Sequence, residues 1–370
     1  MQIDNNNKLG FGLMRLPGIR PLTDIKTTSI MVDKFLDAGF NYFDTAHIYI
    51  GSEASARKAL VNRHKREEYT LATKLCAFLF APTEEVAKKQ LYTSLKRTNV
   101  KYIDYYLLHA IRSNNYKKYE DFHLWDFLKE KKKEGLIKHI GFSYHSGPVL
   151  LERLLNEHPE VEFVQLQINY ADWENKNIQS RKNYEVANKF NKKIIVMEPV
   201  KGGALANPPK EVKKLMLDYN KDASFASYAI RFAASLDGVY KVLSGMSNIE
   251  QMDDNISYMS NFKPLNNEEK EIINKAQKVF DSLHLIECTA CRYCTQGCPK
   301  QINIPKIFEA MNKHLSNGQT KEAKDDYKKI APLNHRASDC IGCKQCEEAC
   351  PQHLEITKYL KECEEVLQEE

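Results

Sequence analysis

The sequence predicts an α/β protein, a (β/α)8 barrel followed by a small, mainly α-helical domain that carries two cysteine-rich runs. Short apolar runs alternate with helix-like segments through the first 260 residues. The apolar runs are almost continuous, as expected for parallel strands that are buried on both faces. Eight of the ten cysteines lie near the C-terminus, in two runs of equal spacing. The first two observations predict the barrel, and the third predicts a separate domain.

Eight apolar runs are the predicted barrel strands. In chain order they are KLGFGLMRL (8–16), FNYFDTA (40–46), YTLATKL (69–75), YIDYYLLH (102–109), IKHIGFSY (137–144), EFVQLQINY (162–170), KIIVMEPV (193–200) and VYKVLSGM (239–246). Segments with apolar residues at i, i+3 and i+4 lie between them, for example residues 83–98 and 224–236. Eight strands, each followed by helical sequence, within about 250 residues are typical of a (β/α)8 barrel.

Two other arrangements compete with this one. A doubly wound open sheet would carry a glycine-rich GxGxxG turn after its first strand, and the sequence has no such turn. The run at 8–16 is also compatible with an N-terminal hairpin that plugs the barrel, and one strand would then come from elsewhere. The predicted domains are the barrel at 1–260, a linking helix at 261–283 and the cysteine-rich domain at 284–370.

Composition and charge restrict the class of protein. Residues 281–370 carry 12 basic and 15 acidic side chains, a net charge of −3, which leaves +8 for residues 1–280 because the whole chain carries +5. The net positive charge of residues 1–280 suits phosphate-bearing ligands. The sequence has no stripe of Lys and Arg that would indicate nucleic-acid binding. No apolar run reaches about 18 residues, and the N-terminus lacks a secretory signal pattern. We therefore expect a cytoplasmic protein with no membrane partner.

In such barrels the active-site residues lie at the C-terminal ends of the strands. Four polar side chains lie at or just after the ends of three successive predicted strands: Asp44, Tyr49, Lys74 and His109. A tyrosine, with an ordinary pKa of about 10, serves as a proton donor at neutral pH when a nearby ammonium stabilises its phenolate. A carboxylate keeps that ammonium charged, and an imidazole on the next strand polarises a carbonyl oxygen. The four residues together predict carbonyl reduction by hydride.

Across residues 8–260 the sequence resembles the aldo-keto reductase family. The resemblance is carried by FDTA and the following Tyr49, and by ATK, DYYLLH, IGFS, QLQINY and SGMSNIEQMDDN, which match in type and order. It implies a (β/α)8 barrel that transfers hydride from NADPH or NADH to aldehydes and ketones. It also implies that Tyr49 is the general acid, that Lys74 and Asp44 tune it, and that His109 orients the substrate.

The same resemblance implies contacts to the dinucleotide. Ser143 and Gln165 would hold the nicotinamide amide group, and Asp254 and Asn255 would lie by the adenine. Many family members stack an aromatic ring on the nicotinamide, and the matching residue here is Met197. This departure makes a flavin in the barrel conceivable, so NADP, NAD and a flavin are all candidate cofactors.

The stretch GMSNIEQ stands where NADP-preferring members of the family carry Lys and Arg against the 2′-phosphate. It offers Gly245, Asn248 and Gln251 as the expected cofactor contacts instead of cations. Arg15 and Lys201, both near strand ends, are the cations that would compensate. A salt bridge at the rim of the barrel is the alternative role for each of them.

The runs CTACRYCTQGCP and CIGCKQCEEACP share the spacing C-x2-C-x2-C-x3-C-P, which is typical of 4Fe–4S sites. Zinc favours two well-separated cysteine pairs, so three closely spaced thiolates favour a cubane cluster. The region resembles two-cluster ferredoxin domains, in which the fourth cysteine of each run ligates the other cluster. The resemblance implies one cluster on Cys288, Cys291, Cys294 and Cys350, and a second on Cys340, Cys343, Cys346 and Cys298.

These observations predict an oxidoreductase that reduces an aldehyde or ketone, or oxidises an alcohol, with NAD(P)H and carries two 4Fe–4S clusters. Clusters move single electrons and nicotinamides move pairs, so a flavin-mediated reductase that links the clusters to an organic substrate is an alternative. A non-enzymatic electron-transfer or redox-sensing module that binds a nucleotide is another. The expected partners are a small carbonyl or alcohol substrate and a redox protein at the ferredoxin-like domain.

Overall fold

The computed structural model describes residues 2–19, 22–79 and 81–368 of the chain. Within them the strands are β1 Leu9–Gly12, β2 Gly18–Ile19, β3 Leu22–Thr23, β4 Tyr42–Asp44, β5 Thr70–Leu75, β6 Ile103–Ile111, β7 Ile137–Tyr144, β8 Phe163–Gln167, β9 Lys193–Met197 and β10 Val239–Ser244. Eight of these close a parallel barrel in the order β1, β10, β9, β8, β7, β6, β5, β4, while β2 and β3 form a short antiparallel hairpin. The predicted (β/α)8 barrel is confirmed.

Each predicted strand run overlaps one barrel strand, and β6 continues to Ile111, two residues past its predicted run. The alternative in which residues 8–16 form a plugging hairpin is wrong, because β1 pairs in parallel with both β10 and β4. The described hairpin comes directly after β1 instead, at β2 and β3. Since all eight strands run in the same direction, their carboxyl ends meet at one face of the barrel, where the loops that carry chemistry begin.

Helices follow the strands and continue through the C-terminal region. They are α1 Ile25–Asp37, α2 Ser52–Ala56, α3 Glu84–Thr98, α4 Tyr116–Asp121, α5 Leu124–Lys133, α6 Pro148–Glu157, α7 Ser180–Lys189, α8 Lys210–Tyr219, α9 Phe225–Ala234, α10 Ile249–Met259, α11 Asn267–Ser282, α12 Tyr293–Gln296, α13 Ile304–Asn317, α14 Thr320–Ile330, α15 Gln345–Ala349 and α16 Ile356–Leu367. Local signals set their ends: the Thr83 side chain accepts a hydrogen bond from the Val86 amide and begins α3. No helix in the described ranges is long and apolar enough to cross a membrane.

Large side chains from alternate strands fill the inside of the barrel. Tyr42, Tyr105 and Phe163 come from β4, β6 and β8, and their rings pack with centroids 5.1 and 5.3 Å apart. The Tyr105 hydroxyl also forms a hydrogen bond of 2.8 Å with that of Tyr240 in β10. Such layers from alternate strands make the barrel a packed core and leave the chemistry to its carboxyl face.

The chain divides into two compact units. One lies within residues 1–199 and 227–265 and contains the barrel, and the other comprises 200–226 and 266–370. In the second unit, helices α13, α14 and α16 enclose an apolar core that includes Ile307, Phe308 and Leu360. This division groups segment 200–226, which sequence analysis placed in the barrel domain, with the cysteine-rich region.

Candidate active site and cluster-binding region

The four predicted catalytic side chains lie together at the carboxyl ends of neighbouring strands. Asp44 ends β4, Lys74 lies near the end of β5 and His109 lies near the end of β6. The Lys74 Nζ atom donates to Asp44 Oδ1 at 2.5 Å and to the Thr45 carbonyl oxygen at 2.7 Å. The same Nζ lies 5.3 Å from the centroid of the Tyr49 ring, which is 5.6 Å from the His109 ring.

Burial governs the electrostatics of the Lys74–Asp44 pair. Both side chains are nearly inaccessible to solvent. Desolvation lowers the pKa of Lys74, and the carboxylates of Asp44 and Glu53 oppose this shift. Desolvation raises the pKa of Asp44, and the Lys74 ammonium opposes that shift. Each charge therefore offsets the burial penalty of the other, so the ammonium beside Tyr49 depends on the carboxylate.

His109 is held as a neutral imidazole. Its ring is buried, and burial moves its pKa well below the ordinary value. The positive charges of Lys74, His145 and Arg112 push the pKa further in the same direction. A neutral imidazole can still donate one hydrogen bond, which is what the polarisation of a carbonyl oxygen requires.

A bulge positions the end of β6. The register between β6 and β7 shifts between Leu108 and Ile111, and Ala110 adopts a positive φ of 53°. The Ser143 hydroxyl oxygen accepts a hydrogen bond of 2.7 Å from the Ala110 amide, and the Tyr119 hydroxyl donates to the His109 carbonyl oxygen. Bulges re-aim side chains beside active sites, and this one fixes the direction of His109. Ser143 keeps its own hydroxyl hydrogen to donate.

Glu53 is a buried residue beside the candidate active site that sequence analysis did not single out. It is 2% exposed and accepts hydrogen bonds from Thr73 Oγ1 at 2.8 Å and from an Arg97 nitrogen at 3.2 Å. Its charge helps to hold the Lys74 ammonium. A glutamate in the first turn of a helix ordinarily interacts with the helix dipole at the surface, so its sequence position gave no sign of this burial.

Arg112 was also missed. It lies directly after β6, is only 2% exposed, and its guanidinium carbon is 5.0 Å from the centroid of the Phe78 ring. That ring is in turn 6.4 Å from the His109 ring. A cation and an aromatic ring therefore lie near the His109 imidazole. In the sequence, the position of Arg112 after a strand end was the one feature that could have identified it as a site residue.

The residues expected at the nicotinamide lie on β7, β8 and β9. Ser143 and Gln165 are direct neighbours across β7 and β8. Gln165 is 3% exposed, and its buried Oε1 has no hydrogen-bond partner within the described part of the chain. An amide group would satisfy this acceptor. Met197 ends β9 and is half-buried, and Asn169 donates to the carbonyl oxygen of the following Glu198 at 3.1 Å.

The stretch expected at the phosphate lies between β10 and α10. The Arg15 side chain is the group nearest to the Cβ position of Gly245, at 3.7 Å, so this cation lies beside the GMSNIEQ stretch. Asn248 Oδ1 caps α10 by accepting from the Gln251 amide, and Gln251 Oε1 accepts from the Ser247 amide, both at 2.8 Å. These side chains occupy the Ser247 and Gln251 amides, so a phosphate at this helix start would meet the other backbone amides of the first turn.

The remaining expected contacts divide into two groups. Asn255 Nδ2 donates to Asp254 Oδ2 at 3.3 Å, and the buried Asn255 Oδ1 has no hydrogen-bond partner among the described residues. Lys201 lies in the second unit, is 8% exposed and pairs with Glu287 at 3.4 Å. The structure therefore gives Lys201 an ion pair within the second unit, and not the salt bridge at the rim of the barrel that was the alternative to a phosphate contact.

The two cysteine runs adopt the same backbone conformation. The residues before the second cysteine, Ala290 and Gly342, have φ of 52° and 69°. The residues after it, Arg292 and Lys344, have φ of 67° and 59° and begin the one-turn helices α12 and α15. In the first run the Ala290 amide also points at the Cys288 sulfur, at 3.4 Å. Positive φ at two nearby positions curls each run around a concavity lined by amides and thiols, as in anion-binding nests.

Four thiols from the two runs line one cavity. They are those of Cys288, Cys291, Cys294 and Cys350. The other lining residues are mostly apolar and include Ile304, Phe308, Leu354 and Ile356. This is the set of four that the resemblance to two-cluster ferredoxins implied for the first cluster, and an apolar cavity with four thiols suits a cubane.

The other four cysteines lie in the same unit. Cys346 is buried in the apolar core, Cys298 and Cys340 pack against that core, and Cys343 is exposed. Helices α12 and α15, which carry the third cysteine of each run, pack against each other. The structure thus brings three members of the second expected set to one core and places the fourth at its surface.

Segment 200–226 packs against the first cysteine run within the second unit. Gly202 has a φ of 68°, and a Cβ atom there would overlap the carbonyl oxygen of Thr289. Thr289 follows Cys288 and lines the four-thiol cavity. The Lys201–Glu287 pair adds a second contact to the same run. The segment that follows Met197 and Pro199 along the chain is therefore anchored beside the first set of thiols.

Comparisons with known proteins agree with this geometry. A family model described as the aldo/keto reductase family matches residues 8–278, and one described as a 4Fe-4S dicluster domain matches residues 287–354. An uncharacterized oxidoreductase of Schizosaccharomyces pombe is 24% identical over 263 residues, which span 68% of this chain and 80% of the relative.

Solved structures share the barrel. Aldo-keto reductase AKR11C1 from Bacillus halodurans, in its holo form, is 25% identical, with a TM-score of 0.58 over 73% of this chain and 91% of that one. An aldo-keto reductase from Klebsiella pneumoniae in complex with NADPH is 16% identical, with a TM-score of 0.59 over 72% of this chain and 90% of that one. The chain therefore belongs to the aldo/keto reductase family and is an oxidoreductase that carries a 4Fe–4S dicluster domain.

Proposed function

We propose that the barrel reduces the carbonyl group of a small aldehyde or ketone with NADPH or NADH, or catalyses the reverse oxidation of an alcohol. The observation that carries the proposal is the buried Lys74–Asp44 pair beside the Tyr49 ring, with the neutral His109 ring 5.6 Å from Tyr49. A module that only binds a nucleotide would not need this arrangement. The dinucleotide would supply the hydride.

The residues of the chain would handle the proton. Tyr49 would donate its hydroxyl proton to the carbonyl oxygen as that oxygen gains negative charge. The Lys74 ammonium favours the phenolate that Tyr49 becomes, because a nearby positive charge lowers a phenol's pKa. The His109 imidazole would donate a hydrogen bond to the same oxygen and hold the carbonyl in place. In the reverse direction Tyr49 would take the proton from the alcohol.

Four positions support a dinucleotide in the barrel. The unpartnered Gln165 Oε1 and the Ser143 hydroxyl offer an acceptor and a donor to a carboxamide. Arg15 beside Gly245 and the N-terminus of α10 suit phosphate groups. The Klebsiella pneumoniae enzyme, which has the same fold, binds NADPH. Nothing in the described residues favours a flavin over a dinucleotide, so a flavin does not enter the proposal.

We infer that the cysteine-rich unit holds two 4Fe–4S clusters, one of them on Cys288, Cys291, Cys294 and Cys350. The four-thiol cavity supports this set, and the matching backbone of the two runs supports a second cluster on Cys340, Cys343, Cys346 and Cys298. Each cluster would exchange one electron with a redox partner protein. Reduced thiols at such sites accord with a cytoplasmic location.

The direct test uses protein purified without oxygen and a panel of small aldehydes and ketones. We expect consumption of NADPH or NADH, followed by absorbance, and a kcat at least about 100-fold lower in Tyr49→Phe because the general acid is lost. Tyr116→Phe, on the outer helix α4, is the matched control and should keep the wild-type rate. Turnover by Tyr49→Phe at the wild-type rate would contradict the proposal.

A spectral titration tests the role of the clusters. Dithionite should bleach the broad cluster absorbance and a partner protein should restore it, if the clusters exchange electrons. Bleaching by NADPH alone would show that the barrel and the clusters share electrons. Clusters that dithionite cannot reduce would contradict the proposed electron exchange while leaving carbonyl reduction intact.

A further inference from the structure

We propose that a groove between α2 and α3 on the outside of the barrel binds a phosphorylated small molecule of nucleotide size. The groove has a volume of about 840 Å³, and we call it the basic groove. It is lined by Ala54, Arg57, Lys58, Asn62, Lys89, Tyr92, Thr93, Lys96 and Arg97. These residues follow β4 and β5, whereas the proposed dinucleotide contacts lie on β7 to β10, α10 and at Arg15. The inference therefore goes beyond the proposed function.

Two helical faces form the walls. The wall on α3 uses positions 89, 92, 93, 96 and 97, which is the i, i+3, i+4, i+7, i+8 spacing of one helix face. The opposite wall uses positions 54, 57, 58 and 62, and its residues Arg57–Val61 form a π-helical turn that continues α2. Such π turns are rare and occur frequently at functional sites. Here the wider turn carries Arg57 and Lys58 on the groove.

The groove concentrates positive charge that is only partly balanced, through the Arg97–Glu53 pair. Five of its nine lining residues are Lys or Arg, and no carboxylate lines it. Within the described part of the chain, Arg57, Lys58, Lys89 and Lys96 form no ion pair. Lys96 lies in the last turn of α3 and Lys58 in the last turn of the π-helical segment, where the helix dipole favours a cation, but that reason does not extend to Arg57 or Lys89. An anion in the groove would relieve the repulsion among these cations.

The remaining lining residues indicate the class of anion. Tyr92 lines the groove and is 47% exposed, so its ring offers a flat surface to a ligand. Asn62 offers an amide for hydrogen bonds to phosphate oxygens or to a base. The Thr93 hydroxyl donates to the Lys89 carbonyl oxygen at 3.1 Å and is left as an acceptor for a base. Pockets for small ligands typically measure about 300–1,000 Å³, and Lys and Arg are the usual phosphate-binding side chains. Two or more phosphates joined to a ring system fit this combination.

Arg97 connects the groove to the proposed active site. Its Nη1 donates to the His47 carbonyl oxygen at 3.0 Å and to Glu53 at 3.2 Å. His47 lies in the loop between Asp44 and Tyr49, and Glu53 acts on Lys74. Because Arg97 supports that loop, it is left unchanged in the variants that test the groove.

The test is calorimetric titration of the intact cluster-bearing protein with inorganic pyrophosphate and with ATP. We expect saturable binding that weakens at least tenfold in Lys89→Glu/Lys96→Glu and in Arg57→Gln/Lys58→Gln, one variant for each wall. Raising the salt concentration from about 50 to 200 mM should also weaken binding, as for any ligand held by several ion pairs. Basal carbonyl reduction should stay unchanged in both variants, and so should the thermal midpoint of Arg57→Gln/Lys58→Gln. Lys89→Glu/Lys96→Glu should lower the midpoint slightly, because it places a carboxylate in the last turn of α3.

Lys117→Glu/Lys182→Glu is the control matched to Lys89→Glu/Lys96→Glu, since it makes the same change in net charge at exposed lysines outside the groove. It should bind both probes within twofold of wild type. The proposal is overturned if neither probe binds, or if binding survives both groove variants and thus belongs to another site. It is equally overturned if only a polyglutamate chain binds at the groove, because the site would then accept an acidic protein and not a small phosphorylated ligand.

Discussion

Lys74 is the residue on which the proposed proton chemistry depends most. It is fully buried, bonded to Asp44 and close to the Tyr49 ring. Lys74→Met should lower the free energy of unfolding of the barrel by about 3–5 kcal/mol, because it leaves Asp44 as a buried charge without a partner. Both tryptophans, Trp125 and Trp173, lie in the barrel unit, so urea unfolding followed by tryptophan fluorescence reports on it.

A double variant separates the lost pair from lost packing. Asp44→Asn/Lys74→Met removes both charges, and we expect it to recover part of the stability that Lys74→Met loses. A double variant no more stable than the single one would contradict a buried, mutually dependent ion pair. Activity should be lost in both, since neither presents an ammonium to Tyr49.

The lowered pKa of His109 leads to a prediction about the pH dependence of the reaction. Burial and its positive neighbours lower its pKa well below the ordinary value of about 6.5. The proton therefore leaves at a more acidic pH, and the imidazole stays neutral between about pH 6 and 8. Profiles of kcat/KM against pH for wild type and for His109→Gln should run parallel in this range, with the variant lower. An inflection near 6.5 in wild type that disappears in the variant would show that His109 titrates there.

At the scale of elements, the segment after β9 is held to the first cysteine run by a glycine. Gly202→Ala should lower the stability of the second unit, because the new Cβ atom meets the Thr289 carbonyl oxygen and the backbone has a positive φ. Gly203→Ala is the matched control, since Gly203 also has a positive φ but has no atom within 4 Å of its Cβ position.

The readout for both glycine variants is the loss of cluster absorbance during thermal unfolding. We expect a drop in the midpoint that is clearly larger for Gly202→Ala than for Gly203→Ala. Equal drops would mean that backbone conformation alone matters at these positions. The close approach of segment 200–226 to the cysteine run would then not contribute to the stability of the second unit.

At the scale of the whole molecule, the fourth cysteine of the second run is proposed to serve the first cluster. Cys350→Ser should therefore damage the same cluster as Cys288→Ser, and the reduced proteins should give the same electron paramagnetic resonance spectrum. Cys363→Ser is the control, because Cys363 is buried in the core and does not line the four-thiol cavity. If Cys350→Ser instead matches Cys340→Ser, the assignment of ligands to clusters is wrong.

Much of the architecture was predictable because its signals are local. Parallel strands buried on both faces give continuous apolar runs, and a polar residue at or near the end of a run marks the carboxyl face, as for Lys74 and His109. The bulge at Ala110 and the burial of Glu53 depend on packing against other strands, so neither leaves a pattern in the sequence. Gly202 and Thr289 are in contact but far apart in the chain. Such a contact cannot be predicted from the local periodicity of the sequence.

Transfer of deuterium tests the central claim most directly. Protein purified without oxygen is given NADPH or NADH deuterated at the reactive carbon, together with an aldehyde or ketone that it turns over, and the alcohol is examined by mass spectrometry. Direct hydride transfer at the Tyr49, Lys74 and His109 site should place the deuterium on the former carbonyl carbon, and Tyr49→Phe should form almost no alcohol. An alcohol that contains only solvent hydrogen at that carbon, or one formed equally well by Tyr49→Phe, would contradict the account.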